Sequence, residues 1–139
     1  TNIPTSYVHI PLVKAIAGAG LSNETDANVQ ETHAFREDYL VAHGISKESV
    51  LMMVRGTSME PLIRDGDMVM IDRLDIEPQD GLIYCIAFDD NLVIKRLEKI
   101  PDGWRLKSEN PYYSDIKIQG DETGNMTIYG RVRWFARTI

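Results

Sequence analysis

The chain has 139 residues, the length of one domain, with ordinary hydrophobic (43%) and charged (26%) shares. Its formal charge of −6 argues against this chain being the main nucleic-acid-binding surface, because phosphate binding rests on clustered positive charge. A single cysteine, Cys85, excludes an internal disulfide framework and a cysteine-rich zinc site, and no apolar run is long enough for a membrane-spanning helix.

No secretory signal pattern opens the chain. It begins at Thr1 rather than Met, which reads as a piece of a longer protein whose missing part is N-terminal. Tyr7 to Val13 predicts a short strand, with Val8, Ile10 and Leu12 alternating and Pro11 marking an edge or a strand end. The small-residue run Ala15 to Gly20 and the polar stretch Ser22 to Asn28 predict an exposed connection, poor as helix or strand. Val29 to Phe35 is a further candidate strand, and Arg36 to His43 a short helix stopped by Gly44.

From Val50 onward the pattern is β. Val50 to Val54 and Met68 to Ile71 are continuous apolar runs of the kind buried strands show. Leu82 to Phe88 and Leu92 to Leu97 flank Asp89-Asp90-Asn91, a hairpin signal. Pro101-Asp102-Gly103 predicts a turn before Trp104 to Leu106, with Pro presetting φ and Gly supplying φ > 0. Ile116 to Ile118 and Met126 to Phe135 complete a mainly β domain, strongly bent or barrel-like.

The chemistry concentrates in Val54-Arg55-Gly56-Thr57-Ser58-Met59-Glu60-Pro61 and the Arg64-Asp65-Gly66-Asp67 segment after it. A core strand running into Gly56 and a small hydroxyl pair places Ser58 at a tight turn, where backbone N–H groups can converge on an oxyanion. A serine hydroxyl needs a base. The histidines His9, His33 and His43 all lie in the less regular N-terminal third. Lys95 instead shares a strand face with Val93 and Leu97, where desolvation disfavours the ammonium and frees a lone pair.

The spacing of the whole set resembles the LexA-type Ser–Lys peptidase family, which includes LexA, UmuD and phage CI-type repressors. The resemblance is carried by Gly56-Thr57-Ser58-Met59-Glu60-Pro61, by Asp65-Gly66-Asp67-Met68-Val69 and by Val93-Ile94-Lys95-Arg96-Leu97. Ser108-Glu109-Asn110-Pro111-Tyr112-Tyr113, Ile128 to Val132, and Ile10-Pro11-Leu12-Val13 ahead of Ala17-Gly18-Ala19-Gly20 extend it over nearly the whole chain.

The resemblance implies a LexA-like bent β-sheet or partial barrel with one or two short helices. It implies a strand and cleavage-loop region over 1–28 and a peptidase-like dimerisation domain over 29–139. A helix-turn-helix DNA reader would lie in the absent N-terminal part. Ser58 would be the nucleophile, Lys95 the base, and the N–H groups of Thr57 and Ser58 the oxyanion donors. Gly56, Met59, Pro61, Gly66 and Asp67 would support the motif. The scissile bond would be Ala17-Gly18 or Ala19-Gly20, although strict register from Pro11 lands on Gly18-Ala19. The implied partners are a second copy, often engaged partly through the last strand near Thr127 to Phe135, and operator DNA through the absent domain. A RecA filament of the SOS response or an antirepressor would trigger the switch. The implied location is a bacterial or prophage-encoded cytoplasmic protein.

Two other readings compete. One is a catalytically quiet dimerisation or effector-sensing domain of a CI-like regulator, with the small residues serving as linker. The other is a trans-acting protease like type I signal peptidase, disfavoured by the missing membrane segment. No cofactor and no metal is expected, since the histidines lack ligand spacing. Cys85 reads as a small core residue, and Trp104 and Trp134 as core or dimer-face residues. Arg131, Arg133 and Arg137 read as a solvated face of the last strand or as pairs across a dimer.

Overall fold

The structure is a computed structural model that describes residues 6–16, 20–22 and 31–139. Its ten strands are β1 (Tyr7–Ile16), β2 (Gly20–Ser22), β3 (Thr32–Arg36), β4 (Ser49–Met53), β5 (Met68–Asp72), β6 (Ile83–Phe88), β7 (Asn91–Ile100), β8 (Gly103–Lys107), β9 (Ile116–Gln119) and β10 (Met126–Ala136). The helix α1 (Glu37–His43) follows β3, and a 3₁₀ turn (Gly120–Asn125) precedes β10. The sheet order is β2-β1-β4-β5-β10-β6-β7-β8-β9, with β3 paired to β1 beside this path. The fold is therefore mainly β, an open sheet with two short helical elements, as expected.

Long strands that change partners bend the sheet. The first half of β10 pairs with β6 and the second half with β5, with irregularities between Ile128 and Gly130 and between Val132 and Trp134. Bulges of this kind sharpen local twist. Gly130 is needed at the crossover because a Cβ there would overlap the Asp72 carbonyl oxygen. The bent sheet packs three apolar clusters. One gathers Val13, Val50, Met52, Met59, Ile63, Val69, Ile71, Cys85 and Ile94. A second sets Ile10, Leu40, Ile45, Leu51 and Met70 under α1, with Phe35 edge-on to Trp134 beside it. The third holds Tyr84, Ile86, Leu97, Leu106 and Ile118 between β6 and β9.

Several expectations change. Ala15 and Ile16 belong to β1 and Gly20 opens β2, so this part of the small-residue run is antiparallel ladder, with Ala15 opposite Leu21 and Ile16 opposite Gly20. Small side chains do not forbid strand where a partner strand supplies the hydrogen bonds. Ala17, Gly18 and Ala19 lie outside the described residues, as do Val29 and Gln30 at the start of the expected third strand. Pro11 sits inside β1 rather than at its end. The Leu12 N–H donates to Glu31 O, so the Pro11 nitrogen faces the other side, where the ladder with β4 begins only at Leu12.

The β7–β8 turn takes its positive φ at Asp102 (60°), not at Gly103. Gly103 is required for another reason: a Cβ on it would overlap the Ile118 carbonyl. Arg131 and Arg133 on β10 pair with Asp75 of the same chain, and Arg137 lies past the strand end on Asp67. Within the chain, each of these guanidinium groups thus has a carboxylate neighbour. The Asp89-Asp90 turn (φ 50° and 62°) and the Gly44 cap (φ 66°) follow the sequence reading.

Candidate active site

Val54 leaves β4 still buried and still bonded, its N–H donating to Asp67 O (2.7 Å) and its carbonyl accepting from Gly66 N (2.8 Å). The chain then turns. Gly56 takes φ +89°, which L side chains rarely adopt, and its N–H is held by the Asp65 carboxylate (2.7 Å). Met59 and Ile63, both buried, pin the far side of the turn into the core, and Ile63 N donates to Met59 O (3.0 Å). Ser58, between Gly56 and Met59, is half-buried at the surface end of this anchor. The Glu60-Pro61 peptide is cis. Among the described residues, the N–H groups of Thr57 and Ser58 donate no hydrogen bond and Ser58 Oγ makes none.

Asp67 holds the base of the turn. Its carboxylate receives Arg64 N and a two-pronged contact from Arg137, each at 2.7 Å. The Arg137 hydrogen bonds hold its pKa below the ordinary aspartate value despite burial. Gly66 has φ +88° in the same turn.

Lys95 lies on β7 opposite Tyr84 of β6 and is only 6% exposed. Desolvation lowers its pKa from the ordinary lysine value, as its apolar neighbours predict. Its ammonium nitrogen donates to Ser108 Oγ at 2.7 Å, not to Ser58. The Tyr113 ring centroid lies 5.7 Å from Nζ.

Ser58 and Lys95 sit on different elements, and the segment after β8 contacts both. Asn110 N donates to Ser58 O and Asn110 Nδ2 to Thr57 O, both at 3.0 Å. Tyr113 OH and Thr57 Oγ1 are 2.7 Å apart. Ser108, on the same segment, holds Lys95. Ser108, Asn110 and Tyr113 carried no individual role in the sequence reading. Register was the missing signal: Ile100 faces Gly103 and Arg96 faces Lys107, so one further step sets Ser108 against Lys95.

β1 runs parallel to β4, with Leu12 beside Leu51 and Val13 beside Met52. Both strands therefore run toward the same end of the sheet, where β4 leads into Ser58 and β1 ends at Ile16. Gly20 begins the return strand there. Cys85 is fully buried, with its thiol pushed up to about 12 by burial, and takes no part in the site. Among the described residues no group of three or more His, Cys, Asp or Glu could hold a metal, and no helix is long and apolar enough to cross a membrane.

Residues 11–133 match the Peptidase S24-like family. The chain is similar to the LexA repressor of Paraburkholderia phytofirmans, 38% identical over 81 residues, which cover 58% of this chain and 36% of that protein. It is similar along 98% of its length to the HTH-type transcriptional regulator PrtR of Pseudomonas aeruginosa, 28% identical over 143 residues and 56% of that protein. The LexA repressor of Burkholderia thailandensis is 37% identical over 75 residues, 53% of this chain and 34% of that protein. The chain thus spans about a third to just over half the length of these relatives. With the match covering the strand into Ser58, the Lys95 strand and the segment between them and β10, the chain belongs to the Peptidase S24-like family.

Proposed function

We propose that this chain is the switch domain of a transcriptional repressor and that it cuts its own backbone. Ser58 Oγ attacks the carbonyl carbon of an alanine in Ala17-Gly18 or Ala19-Gly20. Lys95, neutral, takes the hydroxyl proton and returns it to the glycine amine as the C–N bond breaks. Water then hydrolyses the serine ester. The N–H groups of Thr57 and Ser58 hold the oxyanion.

The observation that carries this reading is a buried lysine with a depressed pKa, tied through residues 108–113 to a serine turn. A neutral amine is what a serine nucleophile needs at ordinary pH. The parallel register of β1 and β4 supports cleavage in cis, because it aims Ile16 and Gly20 at the sheet end that carries Ser58. The names of the relatives support the repressor context. In that context the chain joins two DNA-reading heads by self-association, and cleavage ends their linked binding to paired half-sites. A RecA filament or an antirepressor is the proposed trigger.

Intact mass during incubation at increasing pH tests the reading, with Ser58→Ala as control. A Ser58-dependent cut between Ala15 and Leu21 is expected. An uncut chain at every pH would sink the self-cleavage claim. It would leave the quiet oligomerisation domain, which Lys95 bonding Ser108 in place of Ser58 favours as second reading.

A further inference from the structure

The third residue of the site is a serine that the nucleophile-and-base pair leaves out. Ser108 is 4% exposed and Lys95 6%, and their side chains meet at 2.7 Å in the first position beyond the β7–β8 ladder. A hydroxyl hidden this well needs a partner, and so does a buried amine. Each supplies the other.

A neutral lysine amine has two N–H donors and one lone pair, and only the lone pair can receive the serine proton. Free rotation about the Cε–Nζ bond would spread that lone pair over three directions. An acceptor fixed beside one N–H takes one of the three directions away from the lone pair. We propose that Ser108 is a positioning residue for Lys95: its hydroxyl accepts one Nζ–H and leaves the amine's lone pair directed elsewhere, toward the Ser58 side. The proposal rests on the self-cleavage reading of the same site.

Ser108 is itself fixed. It follows Lys107, the last residue of β8, and precedes Glu109, which pairs with Arg96, and Asn110, which is bonded to the Ser58 turn. Facing Lys95 are Tyr84 from β6, whose hydroxyl donates to Glu77 O, and Tyr113 from the 108–113 segment, whose hydroxyl meets Thr57. Arg96 and Glu109, which flank Lys95 and Ser108 in sequence, pair with each other, and Lys107 on the other side of Ser108 is exposed. Losing the Ser108 acceptor should favour the neutral amine, because a hydroxyl acceptor stabilises the ammonium more than the amine.

The test has two readouts. In the uncut Ser58→Ala background, the Lys95 midpoint is followed by NMR of isotope-labelled lysine. Ser108→Ala is expected to move it down by about one pH unit, and Ser108→Thr to return it. In the chain with Ser58, Ser108→Ala is expected to lower the high-pH plateau of the cleavage rate about tenfold, with rescue by Ser108→Thr. Ser108→Cys, a weaker acceptor of similar size, serves if Ser108→Ala does not fold, and should give a smaller shift of the same sign. An unmoved midpoint, or a moved midpoint with an unchanged plateau, overturns the proposal. If the chain with Ser58 never cleaves, the self-cleavage reading fails and the midpoint alone decides: a shift upholds the Ser108 contact and no shift removes it.

Discussion

Asn110 grips the turn of Ser58 twice, its backbone N–H on the Ser58 carbonyl and its side-chain amide on the Thr57 carbonyl, each at 3.0 Å. The Thr57 carbonyl shares a planar peptide with the Ser58 N–H, so holding that oxygen fixes the direction of one proposed oxyanion donor. Asn110→Ala removes the Thr57 bond and also the amide oxygen Oδ1 that accepts from Tyr112 N at 3.0 Å. The expected loss is about 1 kcal/mol of stability per bond. The cleavage rate should fall about tenfold with the fold retained. Urea unfolding and the rate of chain loss by intact mass check the two parts.

Lys95 gives a pH prediction with a definite sign. Its folded pKa is lowered by desolvation, so between that value and the unfolded value the native chain holds fewer protons than the unfolded one. Stability then rises with pH across that window, and the cost of the buried charge is fully present below it. Lys95→Met, made with Ser108→Ala to avoid an orphaned hydroxyl, should raise the Tm at neutral pH and flatten its alkaline rise. Cleavage should be lost by more than about a thousandfold. Thermal unfolding from pH 6 to 10.5 measures the first effect, and a double variant that keeps the alkaline rise would refute it.

Asp67 predicts the acid limb. Its pKa is depressed, first by the Arg137 hydrogen bonds, so its contribution is present above the unfolded value of about 3.9 and is lost as pH falls through the lower folded value. Asp67→Asn should lower stability at pH 7 and make the remaining stability less sensitive to acid. Urea midpoints at pH 7 and pH 3 for both chains give the comparison.

Gly130→Ala should be among the most damaging single-methyl additions. The new Cβ meets the Asp72 carbonyl and the Ile71 side chain where β10 crosses between β6 and β5. Overpacking of this kind costs about 1–3 kcal/mol, and backbone cannot move aside as a side chain can. A urea midpoint within error of the parent chain would contradict it.

Cys85 should be silent to thiol reagents in the folded chain. It is fully buried and its thiol is pushed up to about 12, so the thiolate that reacts is scarce. Labelling with an aromatic disulfide at pH 8 should be absent without denaturant and complete in urea.

The strands were legible because their causes are local. Apolar runs at Val50 to Val54 and Met68 to Ile71, and turns at Asp89-Asp90 and Pro101-Asp102, lie within a few residues of what they specify. The lysine's burial was readable from Val93 and Leu97 beside it. Ser108, Asn110 and Tyr113 were harder, because what they touch lies 13, 52 or 56 residues away and depends on strand register. The intrachain partner of Arg131 and Arg133 was not legible for the same reason: Asp75 sits in a loop after β5. The ladder of Ala15 and Ile16 with β2 is likewise set by pairing, not by the propensity of small residues.

The place of β1 separates two events that a cut would otherwise seem to unite. All ten residues of β1 lie upstream of Ala17; Tyr7 to Pro11 pair with β3 and Leu12 and Val13 with β4, and Ile10 and Val13 are buried in two of the apolar clusters. On the proposed reading, a cut at Ala17-Gly18 or Ala19-Gly20 would break one covalent bond and none of these contacts. The upstream fragment would remain bound as a guest strand, leaving at a rate set by how often its end of the sheet opens. Stabilising β1 would then slow the fragment's release without touching the chemistry, so the lifetime of the cut but assembled state would be set apart from the rate of the cut.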